Sequence, residues 1–479
     1  MVASDDDDAF LSQFQQLLRR LNERPDDRPG TLTPLGERLQ EHLGADPRHL
    51  PVVVEQVPPH RLIDLDLALE DVSAGTPSKT LGVTGGQARH HEDLASLIQN
   101  PYTRFAADAA VEYATVADGP RSTRQVVAMG LRLLRWRGKP LVALQRAANP
   151  RYGRSTAELE ILASDVDTTT AFIDELRRRM NALSVVRGQV VTFGRDEYGQ
   201  GIGPMTFLDR PDVSADAVIL PTGVLERVRD HVVGVTENAD ALRARGQHLK
   251  RGVLLYGPPG TGKTLTVRYL LHELPEATTV LLQGGSLGLV AEVARLARAL
   301  APAIVVLEDV DLVAAERGTF GLQPMLFEVL DALDGIDGDA DVAFVLTTNR
   351  ADVLEPALAA RPGRIDLAVE IPLPDAAARR ELFALYAAGL PLRTAALEAA
   401  ADEAEGVTAS FAKEVIRRAV LRATLAGREV TDDDLAAALT ELRESTEGVS
   451  RILFGGEHGG PAHPGGAGGG AAFIAGGFG

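Results

Sequence analysis

The chain has 479 residues, which is too long for one ordinary hydrophobic core and predicts two or three domains. It contains no cysteine, which excludes disulfides, iron–sulfur clusters, thiolate zinc sites and a cysteine nucleophile. The formal net charge of -18 argues against general affinity for nucleic acid, because phosphate backbones are bound mainly by Lys and Arg.

The start of the chain and its hydropathy favour a cytoplasmic protein. It begins MVASDDDDAF, with acidic residues where a secretory signal needs basic ones. No apolar run approaches the roughly 20 residues that a membrane-spanning helix needs. We therefore expect a cytoplasmic localisation and no membrane association.

Residues 1–205 have the pattern of a mixed α/β region without a chemical motif, and we expect this region to bind a substrate or partner. The segment AFLSQFQQLLRRLNE, residues 9–23, places its large apolar side chains on one helical face. This helix either packs on its own domain or docks a partner. A helix at about 166–183 and a strand within 184–194 are also predicted, followed by a glycine-rich linker.

Residues 121–157 reverse the acidic character of the chain, with nine basic residues and no acidic one. Trp136 and Tyr152 lie among them, so a surface for nucleic acid or an acidic partner is one interpretation. The other is a pair of strands with a solvated face, because LLRWRGKPLVALQ alternates and is interrupted at residues 138–140.

Residues 206–375 alternate between strand and helix patterns, which predicts a doubly wound parallel sheet. Residues 376–450 are rich in Ala, Leu, Arg and Glu and predict a small helical lid domain. Residues 451–479 are so rich in glycine that they cannot bury a core, so we expect a disordered tail.

A phosphate-binding loop of the form G-x-x-x-x-G-K-[ST] lies between an apolar run and a predicted helix. Its glycines let successive backbone N–H groups face the phosphates of ATP. Lys263 would contact the β and γ phosphates, and the Thr264 hydroxyl would ligate Mg²⁺. The predicted nucleotide-binding residues are Gly257, Pro258, Pro259, Gly260, Thr261, Gly262, Lys263, Thr264 and Leu265.

Polar residues end the next two buried strands, which is where hydrolysis needs a metal ligand and a base. The stretch AIVVLEDVD places Glu308, Asp309 and Asp311 together, and a divalent cation is the simplest reason for three neighbouring acids. Asn349 follows the strand VAFVLTT, where its amide can hold the attacking water. These side chains are therefore candidate catalytic residues.

Arg361 and Arg364 flank Pro362-Gly363 with no acid between them. Two rigidly spaced arginines are suited to neutralising transition-state charge on the ATP of a neighbouring subunit. We therefore add both arginines to the candidate catalytic residues.

The motifs GPPGTGKT, VVLEDVD, TTNR and RPGR, in this order and spacing, resemble Walker A, Walker B, sensor 1 and the arginine-finger region of the classical AAA clade of AAA+ ATPases. The resemblance covers about residues 206–440, and its LEDVD and TTNRADVLEPAL segments are most similar to Bcs-type AAA proteins. It implies a P-loop NTPase module, a hexameric ring, and a metal role for Glu308 with Thr264.

Two departures from the family pattern matter for function. The usual Asp-Glu order of Walker B is Glu308-Asp309 here, so the resemblance gives Asp309 the catalytic role and predicts slower hydrolysis. Peptide-threading members carry an aromatic residue after the second strand, whereas this chain has LLQGGSLGLVAEVARLARALAP. Leu287 and Leu289 would grip a polypeptide weakly, or the ring does not thread.

These features predict an ATP-hydrolysing, Mg²⁺-dependent homo-oligomer that remodels, assembles or disassembles a protein complex. The C-terminal residues 477–479 do not resemble the tail by which proteasomal ATPases dock, so coupling to proteolysis is not expected. An ATP-gated scaffold with negligible turnover is the alternative, and the Walker B order supports it. A nucleic-acid motor is the third interpretation and rests on residues 121–154 alone.

Overall fold

The computed structural model describes residues 31–195, 202–311, 340–350 and 365–453. Contacts divide the chain into two compact units, with the division between Pro372 and Leu373. The amphipathic segment 9–23, both candidate arginines and the tail beyond residue 453 lie outside the described residues.

An antiparallel sheet forms the centre of the N-terminal domain. Its order is β1-β6-β5-β4-β2, and β3 also pairs with β4. The strands are β1 Val52–Val57, β2 Lys79–Leu81, β3 Glu112–Ala117, β4 Thr123–Trp136, β5 Lys139–Arg146 and β6 Ala157–Leu162.

Helices pack on both faces of this sheet. They are α1 Pro34–Leu43, α2 Leu62–Ser73, α3 Leu94–Ile98 and α4 Val166–Ala182. Helices α2 and α4 share one core with Trp136 and Phe172, whose rings meet edge to face at 5.5 Å. Helices α1 and α3 contribute to a second core with other side chains of β4 and β5. The mixed α/β character of the N-terminal region is confirmed, as is the helix predicted at 166–183.

The basic stretch forms the hairpin of β4 and β5, so the predicted strand pair is confirmed. The predicted solvated face is wrong, because most residues of both strands are buried in the cores on the two faces of the sheet. Its turn needs two left-handed residues, and Arg137 and Gly138 have φ of 50° and 80°. Many of its basic groups have acidic partners, which reduces the positive charge open to a nucleic acid. These pairs are Arg121–Asp209, Arg124–Glu70, Arg132–Asp66, Lys139–Asp165 and Arg146–Glu160.

A second sheet carries the motif-bearing strands in the order β13-β9-β12-β11-β10-β7-β8. Neighbouring strands are parallel except for β7 and β8, which form an antiparallel hairpin. The strands are β7 Val190–Arg195, β8 Ile202–Leu208, β9 Arg251–Tyr256, β10 Thr278–Gln283, β11 Ala303–Glu308, β12 Val342–Thr348 and β13 Leu367–Glu370.

Helices cover both faces of this sheet, so the predicted doubly wound α/β fold is confirmed. Helix α8 packs with β9 on one face, and α9 packs with β10 and β11 on the other. The helices are α5 Val224–Arg229, α6 Val235–Glu237, α7 Ala239–Arg243, α8 Lys263–Glu273 and α9 Val290–Ala299. A π-helical turn, Asp230–Gly234, directly follows α5.

Strand β7 belongs to this second sheet, although the sequence analysis places residues 190–195 in the N-terminal region. Its backbone pairs with β10 in parallel, with Val190 opposite Thr279. Val191, Phe193 and Phe207 are buried in the same core as the leucines of β10 and α9. The glycine-rich stretch therefore separates two strands of one hairpin, and a domain boundary before residue 206 would divide that hairpin.

The C-terminal unit is helical, as predicted. Its helices are α10 Ala376–Tyr386, α11 Thr394–Glu403, α12 Ala409–Leu425 and α13 Asp432–Leu453. Asp434, which is 2% exposed, accepts hydrogen bonds from Arg428 and Thr431 and fixes the start of α13. These donors, led by Arg428, lower the pKa of Asp434. None of the described helices is both long and apolar enough to cross a membrane.

Candidate functional site

The phosphate-binding loop connects β9 to α8 and depends on glycine at tight positions. Gly257 and Gly262 have φ of 145° and 118°, backbone conformations that residues other than glycine rarely adopt. A Cβ atom on Gly257 would lie 2.2 Å from the backbone oxygen of Ile371. Gly262 directly precedes α8, so the loop leads into the N-terminus of a helix, where backbone N–H groups favour phosphate.

Lys263 is the first residue of α8 and is only 6% exposed. Its Nζ donates hydrogen bonds of 2.8 Å to the backbone oxygens of Gly257 and Pro258. Burial lowers the pKa of Lys263, and the carboxylates of Asp309 and Asp311 oppose this shift. The ammonium group is thus held at the loop, where it can meet an anionic ligand.

Glu308 ends β11 beside the start of α8. Gln283, its register partner at the end of β10, donates a hydrogen bond to Glu308 Oε2. Burial and the carboxylate of Asp309 raise the pKa of Glu308, while hydrogen bonds with Thr264 and Gln283 lower it. A carboxylate beside a hydroxyl offers the oxygen ligands that Mg²⁺ prefers, so Glu308 and Thr264 fit the predicted metal role. No sequence motif includes Gln283, although its position as a polar residue at the end of a buried strand could have indicated it.

Asp309 has a left-handed backbone conformation, with φ of 49°, which is uncommon for a residue other than glycine. Its N–H donates to Thr347 Oγ1 at 3.1 Å. Its Oδ1 accepts from Asn349 Nδ2 at 3.4 Å, near the long limit for a hydrogen bond. Unusual backbone conformations cluster at functional sites, and this one turns the Asp309 carboxylate toward Asn349.

The third acid, Asp311, faces the end of β12. Its Oδ1 accepts hydrogen bonds from Thr348 Oγ1 at 2.9 Å and from the Asn349 N–H at 3.1 Å. Among the described residues, no group of three His, Cys, Asp or Glu side chains is placed to hold a metal. The expectation that the three neighbouring acids share one cation is therefore wrong for the described structure.

The order of strands explains how residues far apart in sequence meet. Strand β12 lies between β9 and β11, with Thr348 opposite Tyr256 and Leu346 opposite Leu307. The three strands are parallel, so their carboxyl ends lie at one edge. The phosphate-binding loop, the Walker B acids and Asn349 follow directly from those ends, as the sequence motifs predict.

The segment between β10 and α9 is a 3₁₀ helix, Gly284–Leu289, and its leucines are not available for gripping a polypeptide. Leu287 is fully buried and Leu289 is 7% exposed. Both belong to the core that contains Phe193 and Phe207 of the β7–β8 hairpin. The prediction of a weak grip by these leucines is therefore wrong, because the hairpin adds apolar surface that the motifs did not reveal.

Arg361 and Arg364 lie outside the described residues, and their role as arginine fingers stays a prediction. The described part of the site contains the loop, its lysine and threonine, both Walker B carboxylates and Asn349. It combines a cationic loop, a carboxylate with a raised pKa and a carboxylate contacted by an amide.

Residues 253–373 match the family model described as ATPase family associated with various cellular activities (AAA). This segment of the chain is therefore similar to AAA ATPase domains. This match begins in β9 and extends past β13, so it includes every described residue of the site.

The chain is also similar to proteasome-activating nucleotidases. The relative from Thermococcus onnurineus (strain NA1) is 31% identical over 262 residues, which cover 51% of this chain and 65% of the relative. The relative from Saccharolobus solfataricus is 32% identical over 254 residues, covering 50% of this chain and 64% of the relative. That from Methanococcus vannielii is 31% identical over 268 residues, covering 52% and 65%. The chain thus covers slightly less than two thirds of each relative.

Proposed function

We propose that this protein is an ATP-hydrolysing AAA+ ring that remodels, assembles or disassembles a protein complex. The observation that carries the proposal is the meeting of Lys263, Glu308, Asp309 and Asn349 at one edge of a parallel sheet. Nucleotide binding alone would need only the loop and its lysine. The carboxylate contacted by an amide supplies what hydrolysis adds to binding.

In this proposal Lys263 leaves its loop carbonyls and donates to the β and γ phosphates of ATP. Asp309 takes the proton of the attacking water, and Asn349 orients that water through its amide. Thr264 and Glu308 would hold Mg²⁺, which neutralises phosphate charge when it is bound. The raised pKa of Glu308 is consistent with a carboxylate whose charge needs a cation partner.

Ring formation follows from the need for a partner subunit at the γ phosphate. We propose that Arg361 and Arg364 act on the ATP of the neighbouring subunit and neutralise charge in the transition state. Head-to-tail contacts of this type close into rings, and we propose six subunits by resemblance to AAA+ proteins. The ring would work in the cytoplasm.

Cargo binding is assigned to the N-terminal domain. The segment Gly284–Leu289 offers little surface for a grip, because Leu287 and Leu289 are buried beneath the β7–β8 hairpin. This arrangement favours action on a folded complex held by the N-terminal domain over threading of an unfolded chain. It agrees with the sequence resemblance to Bcs-type AAA proteins, a group that moves folded cargo.

Activation of a proteasome is a second candidate, taken from the names of the matched relatives. The buried leucines of Gly284–Leu289 count against it, because activation by threading needs a grip on the substrate. Addition of the protein and ATP to the proteasome core of its own organism tests this candidate. Faster degradation of a folded substrate would favour it over remodelling alone.

ATP turnover of the purified protein tests the main proposal, measured beside Asp309→Asn and Arg361→Ala with mass photometry on the same samples. We expect turnover in the wild type and its loss in both variants while the oligomer persists. Asp167→Asn, at an exposed position of α4, is the matched control and should behave as wild type. Nucleotide-dependent rings without turnover would replace the motor with an ATP-gated scaffold.

A further inference from the structure

We propose that Asp311 is a positioning residue that fixes the end of β12, and with it Asn349, for the ATPase reaction. The inference rests on the proposed function, since it concerns the same site. It gives the third acid of the Walker B segment a role different from that of a metal ligand. Asp311 would touch neither ATP nor the attacking water.

The first reason is that β12 loses a neighbour just before it reaches the site. Strands β11 and β12 pair from Ala303 opposite Val342 to Leu307 opposite Leu346, and their ladder stops there. Pairing with β9 continues to Thr348. The last residues of β12 therefore have a strand partner on one side only, and their remaining polar groups need other partners.

Hydrogen bonds from the segment after β11 replace that missing ladder. The N–H groups of Asp309 and Val310 donate to the side-chain and backbone oxygens of Thr347, each at 3.1 Å. Asp311 Oδ1 then accepts from the next two residues, Thr348 Oγ1 and the Asn349 N–H, at 2.9 and 3.1 Å. Val310 is 2% exposed and anchors this segment in the core.

The second reason is that Asp311 holds a residue whose side chain contacts the proposed catalytic carboxylate. Asp311 holds the backbone N–H of Asn349, and the side chain of the same residue contacts Asp309 Oδ1 at 3.4 Å. A displacement of about 1 Å in a group that orients a reactant can cost about 100-fold in rate. Release of the Asn349 backbone would therefore impair orientation of the water without removing any group that binds ATP.

The contacts of Asp311 also separate it from the metal role given to Glu308. Glu308 interacts with Thr264 of the phosphate-binding loop, whereas Asp311 Oδ1 accepts hydrogen bonds from Thr348, the last residue of β12, and from Asn349 just after it. Charge-assisted hydrogen bonds of this kind are stronger than neutral ones and hold a carboxylate in place. The two acids of one short segment thus serve opposite sides of the site.

Steady-state ATP turnover of the full-length protein tests the inference with Asp311→Ala, Asp311→Asn and Thr348→Val. We expect Asp311→Ala to lower kcat about 10- to 100-fold, as for other residues that orient a reacting group. KM for ATP and the Mg²⁺ concentration for half-maximal turnover should not change. Asp311→Asn should keep most of the activity, because its amide oxygen can accept the same two hydrogen bonds. Thr348→Val removes one donor and should lower kcat less than Asp311→Ala.

Three outcomes would overturn the inference in distinguishable ways. Equal damage in Asp311→Asn and Asp311→Ala, with a higher Mg²⁺ requirement, would identify a metal ligand. If the wild type hydrolyses ATP and Asp311→Ala does so equally fast, the positioning role is overturned and the proposed ATPase activity stands. Absence of turnover in the wild type would overturn the proposed ATPase and this inference with it. If Asp311→Ala does not fold, a kcat unchanged in Thr348→Val would count against the inference, and a lowered kcat with unchanged KM would support it.

Discussion

Buried charges of the N-terminal region form ion pairs, whereas Lys263 and Glu308, at the carboxyl edge of the second sheet, form no ion pair with a described residue. Arg132 contacts Asp66 and Arg146 contacts Glu160, and all four side chains are under a tenth exposed. At the ATPase edge, Lys263 donates to backbone oxygens, and Glu308 has a raised pKa. Paired charges stabilise a fold, whereas buried charges without a countercharge suit an external ligand.

The amino edge of the second sheet also contains a buried ion pair. The contrast between paired and unpaired charges is therefore not a contrast between the two sheets. At the start of β9, Arg251 Nη1 donates to Asp341 Oδ1 at 2.7 Å, and both side chains are buried. Arg251 also donates to Thr236 and to the Val232 backbone oxygen, which ties the π-helical turn to the sheet. In contrast to Arg251, Lys263 at the carboxyl edge donates to backbone oxygens and forms no salt bridge with a described residue.

Removal of one member of a paired charge should have the largest effect on stability. Arg146→Met leaves Glu160 buried without its cation, and we expect a loss of about 3–5 kcal/mol in unfolding free energy. Urea unfolding followed by fluorescence measures this, because Trp136 is the only tryptophan and lies in the N-terminal core. ATP turnover per folded molecule should not change.

The double variant Arg146→Met/Glu160→Met is the matched control for that loss. It removes both charges, so most of the lost stability should return. An Arg146→Met protein as stable as the wild type would break the comparison, because it would mean that this ion pair does not stabilise the N-terminal domain.

Removal of an unpaired charge should affect activity instead. Lys263→Met deletes the ammonium group at the phosphate-binding loop, and we expect a loss of about 10²- to 10³-fold in kcat/KM for ATP. The unfolding free energy should stay the same or rise, because a desolvated amine disappears. Lys250→Met, at a partly exposed lysine just before β9, is the control. A Lys263→Met protein that loses stability comparable to Arg146→Met would contradict the distinction.

His60, a partly buried group that contacts β7, extends the comparison to a titratable side chain without a hydrogen-bond partner on its Nδ1 among the described residues. Its ring meets Phe193 edge to face at 5.0 Å, its Nδ1 has no hydrogen-bond partner among the described residues, and burial lowers its pKa to about 4. The unfolded chain takes up the proton near pH 6.5, so stability is full above that value and falls as the pH drops toward 4.

We expect this histidine to remove about 2 kcal/mol of unfolding free energy between pH 7 and pH 5. Other groups also titrate in this range, so the informative quantity is the difference between the wild type and His60→Phe. Phenylalanine keeps an aromatic ring against Phe193 and does not titrate. Equal losses in both proteins, measured by urea unfolding at the two pH values, would show that His60 is not buried as described.

The position of the candidate ATP site was largely predictable because its residues lie in short sequence motifs. The loop glycines, Lys263, the Walker B acids and Asn349 each follow a buried strand, and parallel strands bring their carboxyl ends to one edge. The role of Asp311 was not predictable, since it depends on where the β11–β12 ladder stops. That position is set by pairing between strands and not by any short motif.

The N-terminal domain shows the limit of the same reasoning. Alternation and turn residues predicted the β4–β5 hairpin and the helix at 166–183. The partners of the arginines were not predictable, because Arg132 meets an acid 66 residues away and Arg146 meets one across a neighbouring strand. The sequence analysis placed β7 in the N-terminal region, because the sequence of a Val-rich strand does not indicate which strand it pairs with; in the structure it pairs with β10.

The β7–β8 hairpin also determines how this protein can be divided into portable pieces. A fragment that begins at residue 206 would lack β7, so β10 would become an open edge and Leu287 would lose part of its cover. Open edges recruit other chains, and such a fragment is expected to aggregate. The smallest transferable ATPase module therefore begins before β7, at about residue 184, and a gene fusion or truncation that respects only the motifs would cut through it.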